Sequence, residues 1–260
     1  TTETVFYVWL KRWLVAAVAK VYSGNTINAQ NAVLVLEGGQ NLGKSTFARW
    51  LCSGVPQYFI EKSIEPDSKE DERRLASHWI WEIGELGATT RKADREALKS
   101  FLTREKCTFR NPYAKEDSKK AALASFIGTV NNEGGFLQDA TGSRRFMTVG
   151  LSDIQHSYID DVDIDQVWAQ AFDLYRRGEW WRLTAEETKA REEVNNEYKV
   201  EDVYEGWLLR YFEIDPERGS AKTAGWFTTT QEIVSELRAQ GVTDNTSAIS
   251  MRLAATMKEL

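Results

Sequence analysis

The sequence predicts an α/β fold built around a phosphate-binding loop, and three neighbouring patterns support this prediction. An apolar run from Ala32 to Leu36 is typical of a strand that is buried on both faces. A glycine-rich loop follows it, and residues 45–51 have the pattern of a helix. Strand, loop and helix therefore occur in the order that a phosphate-binding loop requires.

The loop matches the pattern of a glycine, four variable residues and Gly-Lys-Ser. Glycine lets the backbone turn tightly, so that its N–H groups point at phosphate oxygens beside the positive end of the following helix. We expect Lys44 to reach the β and γ phosphates of ATP and Ser45 to ligate Mg²⁺. The residues predicted to bind the nucleotide are Gly38, Gly39, Gln40, Asn41, Leu42, Gly43, Lys44, Ser45 and Thr46.

The composition predicts a soluble, cytoplasmic protein. Of 260 residues, 42% are hydrophobic and 28% charged, and no apolar run approaches the roughly 20 residues of a membrane-spanning helix. The cysteines, Cys52 and Cys107, lie among apolar residues, which favours a reducing compartment over a disulfide framework. The net charge of −6 excludes a uniformly basic nucleic-acid-binding protein but allows a local basic segment. Because the chain begins Thr1-Thr2 without methionine, we expect it to be cut from a longer protein.

Changes of pattern along the chain predict four regions. Residues 1–30 contain an amphipathic lead-in helix, residues 31–152 form the core, and residues 153–215 form helices that pack against it. A linker precedes residues 226–260, whose two helical patterns resemble a truncated helix-turn-helix or winged helix. This last region carries few basic residues, so a structural role is as well supported as DNA reading.

A hydrophobic strand pattern over residues 78–86 carries acidic residues near its end. A phosphate-loop ATPase needs one carboxylate to hold the Mg²⁺ hydration shell and another to orient and deprotonate the attacking water. Glu82 and Glu85 are the candidates, and they lie three positions apart instead of next to each other. Ser45 and Glu82 form the predicted metal site, but the spacing leaves open which acid acts as the base.

Polar residues also flank two later strand patterns. Asn131 comes directly after the apolar run 125–130, where its amide can hold the attacking water or the γ phosphate by hydrogen bonds. Arg144 and Arg145 open another apolar strand. Because arginine at such a place can neutralise the charge that develops during phosphoryl transfer, both are candidate catalytic residues.

Residues 104–120 carry six basic and three acidic side chains, a local net charge of +3 in a negative chain. Strand patterns flank the middle of this segment, so we expect a protruding hairpin or loop. Basic side chains there can meet phosphates, and a tyrosine can stack on a base. The predicted DNA-binding residues are Arg110, Tyr113, Lys115, Lys119 and Lys120.

Taken in order, these elements resemble the virulence-associated E (VirE-type) family of phage and plasmid replication proteins, which is related to superfamily 3 helicases. The similarity covers about residues 5–150 and includes VLEGGQNLGKST, WIWEIGEL, LKSFLTREKCTFRNPYAK and SFIGTVNNEGGFLQDATGSRRF. The phosphate loop alone is unspecific among NTPases, whereas its combination with Glu-x-Gly-Glu-Leu, Phe-Arg-x-Pro-Tyr and Gly-Ser-Arg-Arg-Phe is much more specific. The resemblance implies a P-loop NTPase core of the AAA+ or superfamily 3 helicase type.

The resemblance also implies partners and roles. Such proteins are ring-forming ATPases that move along nucleic acid, so single-stranded or forked DNA and further copies of the chain, six by resemblance, are the expected partners. A primase or polymerase domain in a missing N-terminal part and a bacterial host cell are further expectations. The implied roles are Walker A for Lys44 and Ser45, the acids for Glu82 and Glu85, sensor for Asn131, and arginine finger for Arg144 or Arg145.

Two other functions compete with an ATP-driven DNA helicase. One is a loader or switch in which ATP controls assembly on DNA without unwinding, and the other is a small-molecule phosphotransferase. A phosphotransferase would need neither the paired arginines nor the basic hairpin, so these features argue against it. No feature of the sequence distinguishes a motor from a loader as clearly as these features argue against a phosphotransferase.

Overall fold

The computed structural model describes residues 2–22, 32–84, 86, 92–110, 116–131, 143–198, 230–239, 249 and 253. The chain divides into two compact units, Thr1–Lys199 and Val200–Leu260. No helix in the described ranges is both long enough and apolar enough to cross a bilayer.

The described part of the first unit contains seven α-helices and seven strands. In chain order they are α1 (Thr2–Tyr22), β1 (Val33–Gly38), α2 (Lys44–Trp50), β2 (Phe59–Glu61), α3 (Lys69–Leu75), β3 (Ile80–Ile83), α4 (Lys92–Leu102), β4 (Lys106–Phe109), β5 (Ser118–Ala121), β6 (Ser125–Val130), β7 (Phe146–Leu151), α5 (Tyr158–Asp161), α6 (Ile164–Arg176) and α7 (Ala185–Glu197). A 3-10 turn precedes β2 at Pro56–Tyr58, and another precedes β7 at Ser143–Arg145.

Five strands form a central sheet in the order β2-β3-β6-β1-β7, and each neighbouring pair is parallel. The protein is therefore a mixed α/β protein with a parallel central sheet, as the apolar strand patterns predict. All residues of β3 and β6 are buried, because helices cover both faces of the sheet. In a parallel sheet all carboxyl ends meet at one edge, which is where ligands of such folds bind.

Helix α1 is part of the core and not only a lead-in to it. Its residues 12–20 are all buried. The indole Nε1 of Trp13 donates to the carbonyl of Phe126 in β6 at 2.9 Å, and Lys20 Nζ donates to the carbonyl of Ala124 at 2.6 Å. Arg12 pairs with Glu187 of α7 at 2.9 Å. The polar residues within this helix thus fasten it to the sheet and to α7.

Strands β4 and β5 form a separate antiparallel hairpin that leads directly into β6. The sequence patterns predict a hairpin or loop here and the strand β4, but not the strand β5, because β5 is short and contains no run of apolar residues. Cys107 and Phe109 are buried beneath it, while Lys119 and Lys120 are exposed. Residues 111–115 at its turn lie outside the described residues.

Helix α3 is rich in charged residues, and one of them, Asp71, is fully buried. Its carboxylate accepts from Lys62 Nζ at 3.0 Å and from Arg74 Nη1 at 2.7 Å. The pKa of Asp71 is lowered: burial opposes this, but hydrogen bonds from the Glu65 N–H and from Lys62 prevail. The other charged residues of α3 are exposed or half-buried, so Asp71 is the one that needs these partners.

The second unit is described over helix α8 (Thr230–Ala239) and at two further positions. Val234 and Leu237 of α8 are buried, as are Ile249 and Leu253. Three predicted segments lie outside the described residues: the last part of the helical region (residues 199–215), the linker, and most of the second helical pattern of the helix-turn-helix.

We predict that Trp13→Phe lowers the free energy of unfolding by about 1–3 kcal/mol, because it leaves the buried Phe126 carbonyl without the indole donor. Urea unfolding followed by far-UV circular dichroism measures the change. Tyr7→Phe is the matched control on the same helix, since Tyr7 is 66% exposed and its substitution should be neutral. An equal effect of the two substitutions would contradict this account of α1.

Candidate functional site

The glycine-rich loop joins β1 to α2 and needs glycine at specific positions. A Cβ atom on Gly38 would lie 2.4 Å from the backbone oxygen of Leu151 in the neighbouring strand β7. Gly43 has φ of 91° and precedes the helix, and its carbonyl accepts the N–H of Phe47 at 2.9 Å. Asn41, at φ of 65°, also adopts a left-handed conformation. The loop therefore passes close beside β7 and bends back sharply into α2.

Lys44 lies inside the bend of this loop. Its ammonium donates to the carbonyls of Gly38 at 2.8 Å and Gly39 at 2.7 Å, and its Nζ lies 3.3 Å from Oδ1 of Asn131. The side chain is buried, and burial lowers the pKa of Lys44, while the nearby charge of Glu37 opposes this shift. The loop thus holds a desolvated cation where the motif predicts phosphate.

Glu82 is a fully buried carboxylate next to the start of α2. Its Oε1 accepts from the hydroxyl of Thr129 at 3.4 Å, and Ser45 is a second hydroxyl partner. Its Oε2 is buried without a hydrogen-bond partner among the described residues. Burial raises the pKa of Glu82, and the Ser45 hydrogen bond offsets part of that shift. A carboxylate and a hydroxyl side by side are oxygen ligands of the kind that Mg²⁺ takes.

The strand register explains why these side chains meet. Glu82 in β3 lies beside Ile127 of β6, and Glu37 of β1 lies beside Val130. Asn131 therefore leaves β6 at the level of Gly38, where the loop begins. The structure brings together the predicted residues Lys44, Ser45, Glu82 and Asn131, whereas Glu85 lies outside the described residues.

Arg144 and Arg145 occupy the opposite edge of the sheet. They end the turn before β7, whose first residue Phe146 lies beside Val33, the first residue of β1. The length of β1, roughly 17 Å at 3.3 Å per residue, separates this edge from the loop. Arg144 is exposed, and Arg145 is half-buried. The structure therefore does not bring the arginines to the Lys44 site of the same subunit.

The predicted DNA-binding residues are only partly described. Lys119 and Lys120 are exposed on β5, and because neighbouring strand residues alternate, they point to opposite faces of the hairpin. Arg110 is exposed but paired with Asp117 at 3.0 Å. Tyr113 and Lys115 lie outside the described residues. The hairpin joins the amino end of β6, at the edge away from Lys44.

Several residues near the site escape the sequence analysis. Tyr198, after α7, forms a hydrogen bond with Glu37 in β1, and burial raises the pKa of Tyr198 to about 12. The ring of His156 packs against the loop, so closely that a Cβ on Gly43 would lie 2.2 Å from its Cε1. Thr129 could be found from the sequence, because it lies two residues before Asn131 on the same side of β6. Tyr198 and His156 come from distant segments and carry no local signal.

We predict that Glu82→Gln stabilises the protein in the absence of Mg²⁺ and nucleotide. Because burial raises the pKa of Glu82, stability linked to this group is fully present below the unfolded-state pKa, near 4.5, and is lost as pH rises through the folded-state pKa. At neutral pH the amide should raise the free energy of unfolding by on the order of 1 kcal/mol. The gain should shrink toward pH 4.5.

Urea unfolding at a series of pH values in the presence of a chelator measures this difference. Glu61→Gln is the control, because Glu61 on the adjacent strand is 48% exposed and paired with Arg49 at 2.7 Å, so its substitution should bring no gain. If Glu82→Gln is less stable than the parent at neutral pH, the buried carboxylate does not lower the free energy of unfolding and the prediction is wrong.

Comparison with known proteins places the chain in a family. The virulence-associated protein E-like domain matches residues 1–200. The apo structure of the NrS-1 C-terminal region is similar at 16% identity and a TM-score of 0.49, over 95% of this chain and 62% of that one. Its A-form apo structure is similar at 14% identity and a TM-score of 0.45, over 98% of this chain and 62% of that one.

The chain thus spans 62% of the length of the solved structures that it matches. No curated protein matches the sequence significantly. The family domain, in contrast, covers the lead-in helix, the loop, the central sheet and α7. The chain belongs to the virulence-associated protein E-like domain family.

Proposed function

We propose that the chain is the ATP-hydrolysing motor of a phage, plasmid or mobile-element replication protein, acting as a ring-forming DNA helicase or translocase. One observation carries this proposal: Lys44, Ser45, Glu82 and Asn131 meet at the carboxyl edge of the sheet, beside a glycine loop. A cation, a carboxylate with a hydroxyl, and an amide are the groups needed to hold a triphosphate, its metal ion and the attacking water. The strand order, with a hairpin inserted before β6, supports a core of the superfamily 3 helicase type.

The position of Lys44 in the loop supports nucleotide binding. Lys44 already donates two hydrogen bonds at the centre of the bend, and the same ammonium would donate to the β and γ phosphates of ATP. Ser45 and Glu82 would hold Mg²⁺, which would neutralise charge on the phosphate oxygens. The buried Oε2 of Glu82, without a hydrogen-bond partner among the described residues, supports this fit because a buried anionic oxygen needs a compensating partner.

Asn131 would orient the attacking water or the γ phosphate, and its contact with Lys44 supports this role. Hydrolysis forms a bond from the water oxygen to the γ phosphorus and breaks the bond to the bridging oxygen of ADP. The water proton passes to a carboxylate. Because Glu82 is engaged with Ser45 and Thr129, we assign this proton to Glu85.

The arginines would act on a neighbouring copy. Their edge of the sheet lies a strand length from the loop, so they cannot reach the phosphates of their own subunit. An exposed arginine such as Arg144 can instead enter the ATP site of an adjacent subunit, and a ring supplies one such pair to every site. A ring, of six subunits by resemblance, follows.

We predict that Lys44→Ala abolishes ATP turnover and that Arg144→Ala/Arg145→Ala strongly reduces it, by about 10³-fold if one arginine is the finger. An equal mixture of the two proteins should recover part of the turnover, since each supplies what the other lacks. Phosphate release measures turnover, and Lys189→Ala, an exposed lysine on α7, is the neutral control. Retained turnover in Lys44→Ala, or no recovery together with a monomeric mass, would contradict the site and the ring.

DNA would contact the hairpin of β4 and β5. Its segment is basic in an acidic chain, Lys119 and Lys120 are exposed, and it lies at the edge of the sheet away from Lys44. Lysines at such a place can meet phosphates, and Tyr113, between β4 and β5 in the sequence, is the residue we expect to stack on a base. The hairpin would therefore bind single-stranded or forked DNA without sharing residues with the nucleotide site.

We predict that Lys119→Ala/Lys120→Ala keeps basal ATPase activity and loses DNA binding and DNA stimulation. The slope of log affinity against log salt should fall by about 0.7 for each lost phosphate contact with a single strand. Fluorescence anisotropy with labelled single-stranded DNA measures both quantities. Arg177→Ala/Lys189→Ala removes the same charge from exposed positions on other elements and should leave both unchanged. An unaltered salt slope in the Lys119→Ala/Lys120→Ala protein would show that the hairpin lysines do not contact DNA.

An ATP-controlled loader or switch without unwinding is the second candidate, since it would use the same site and hairpin. Strand displacement on a forked duplex, measured together with DNA-stimulated ATPase activity, separates the two. Turnover without displacement would favour the loader. A small-molecule kinase remains the weaker alternative, because it would need neither the outward arginines nor the basic hairpin.

A further inference from the structure

One face of α7 holds the backbone on both sides of Arg145. Arg191 Nη1 donates to the carbonyl of Arg144 at 2.8 Å, and Asn195 Nδ2 donates to the carbonyl of Phe146 at 3.0 Å. Arg191 and Asn195 are four residues apart, so they lie on the same face of the helix. Two side chains from one helix therefore fix the path of the chain through Arg145.

Burying the polar side chains of Arg191 and Asn195 costs free energy that apolar residues at these positions would not. Arg191 is 8% exposed and Asn195 fully buried. The pKa of Arg191 is lowered, chiefly by burial; Glu192, at 3.8 Å, opposes this, and the like charge of Arg144 adds to it. A buried guanidinium near a second arginine is not a stabilising choice by itself. Its specific result is the orientation of the Arg144–Arg145 backbone.

Both ends of α7 are anchored to other elements. Near its start, Glu187 accepts from Arg12 of α1 at 2.9 Å and also closes the capping box with Thr184. Just after its end, the hydroxyl of Tyr198 bonds Glu37, the residue before the loop glycine Gly38. The helix therefore cannot shift without moving α1 or the end of β1.

We propose that Arg191 and Asn195 are positioning residues, which aim Arg144 and Arg145 at the ATP site of the neighbouring subunit. The inference rests on the proposed function, because it requires the arginines to act across a subunit boundary. Neither residue touches nucleotide, and their effect passes through the backbone that carries the arginines. Since Tyr198 ties the same helix to Glu37, the arginines presented to a neighbour are mechanically connected to the subunit's own nucleotide loop.

The test mixes two variant proteins and introduces the same further substitution into one or the other of them. Lys44→Ala subunits donate intact arginines, and Arg144→Ala/Arg145→Ala subunits accept them at an intact ATP site. Arg191→Met in the donor should lower the kcat of the mixture by about 10- to 100-fold, because misplaced catalytic groups lose about that much, with little change in KM. Arg191→Met in the acceptor should leave the recovered turnover unchanged. Arg191→Lys in the donor should restore part of it, since an ammonium can still donate to the Arg144 carbonyl.

Lys189→Met in the donor is the matched control, because Lys189 is exposed on the same helix. Melting temperatures establish that each protein is folded, and Asn195→Ala in the same two placements repeats the test if Arg191→Met folds poorly. Equal losses in donor and acceptor, with the reference mixture active, would reduce Arg191 to a structural role and overturn this inference alone. A reference mixture without recovered turnover would overturn the trans arginines and this inference with them.

Discussion

The arrangement of the site depends on the hydrogen bonds that the buried ammonium of Lys44 makes. A desolvated cation is tolerated only where acceptors surround it, and here they come from the end of β1 and the end of β6. Those ends meet because the strands are parallel and in register. The loop can carry its carbonyls to the lysine only because Gly38 has no side chain against β7. The burial of Lys44 therefore requires both the strand register and the shape of the loop.

The parallel sheet also separates two groups of polar residues, one at each end of its strands. Lys44, Glu82 and Asn131 gather at the carboxyl edge, while Arg144 and the base of the hairpin lie at the amino edge. About one strand length separates Lys44 from Arg144, so under the proposed function a second copy of the chain would bring such groups together. Helix α7 contacts both edges, through Arg191 at one and Tyr198 at the other.

Some buried polar side chains lower the stability of the fold but hold neighbouring groups in a fixed direction. The carboxylate of Glu82 and the side chains of Arg191 and Asn195 would each be replaceable by apolar groups if folding were the only demand. Trp13 differs from them, since its indole both fills the core and satisfies a carbonyl. Under the proposed function, Glu82 lies where a metal ion would bind, and Arg191 and Asn195 lie behind the arginines, so the direction of each of these buried groups matters.

The sequence by itself determined the elements and the order in which they occur. The strand–loop–helix unit and the strand β4 depend on residues close together in the chain, so their patterns are visible without a structure. The grouping of Lys44, Glu82 and Asn131 was predictable for a related reason, since each stands near the carboxyl end of a strand pattern. Only the tertiary structure decided that Arg144 lies at the far edge, that Arg191 bonds the Arg144 carbonyl, and that Tyr198 bonds Glu37. Strand order and helix packing join residues far apart in the chain, and such contacts leave no periodic pattern in the sequence.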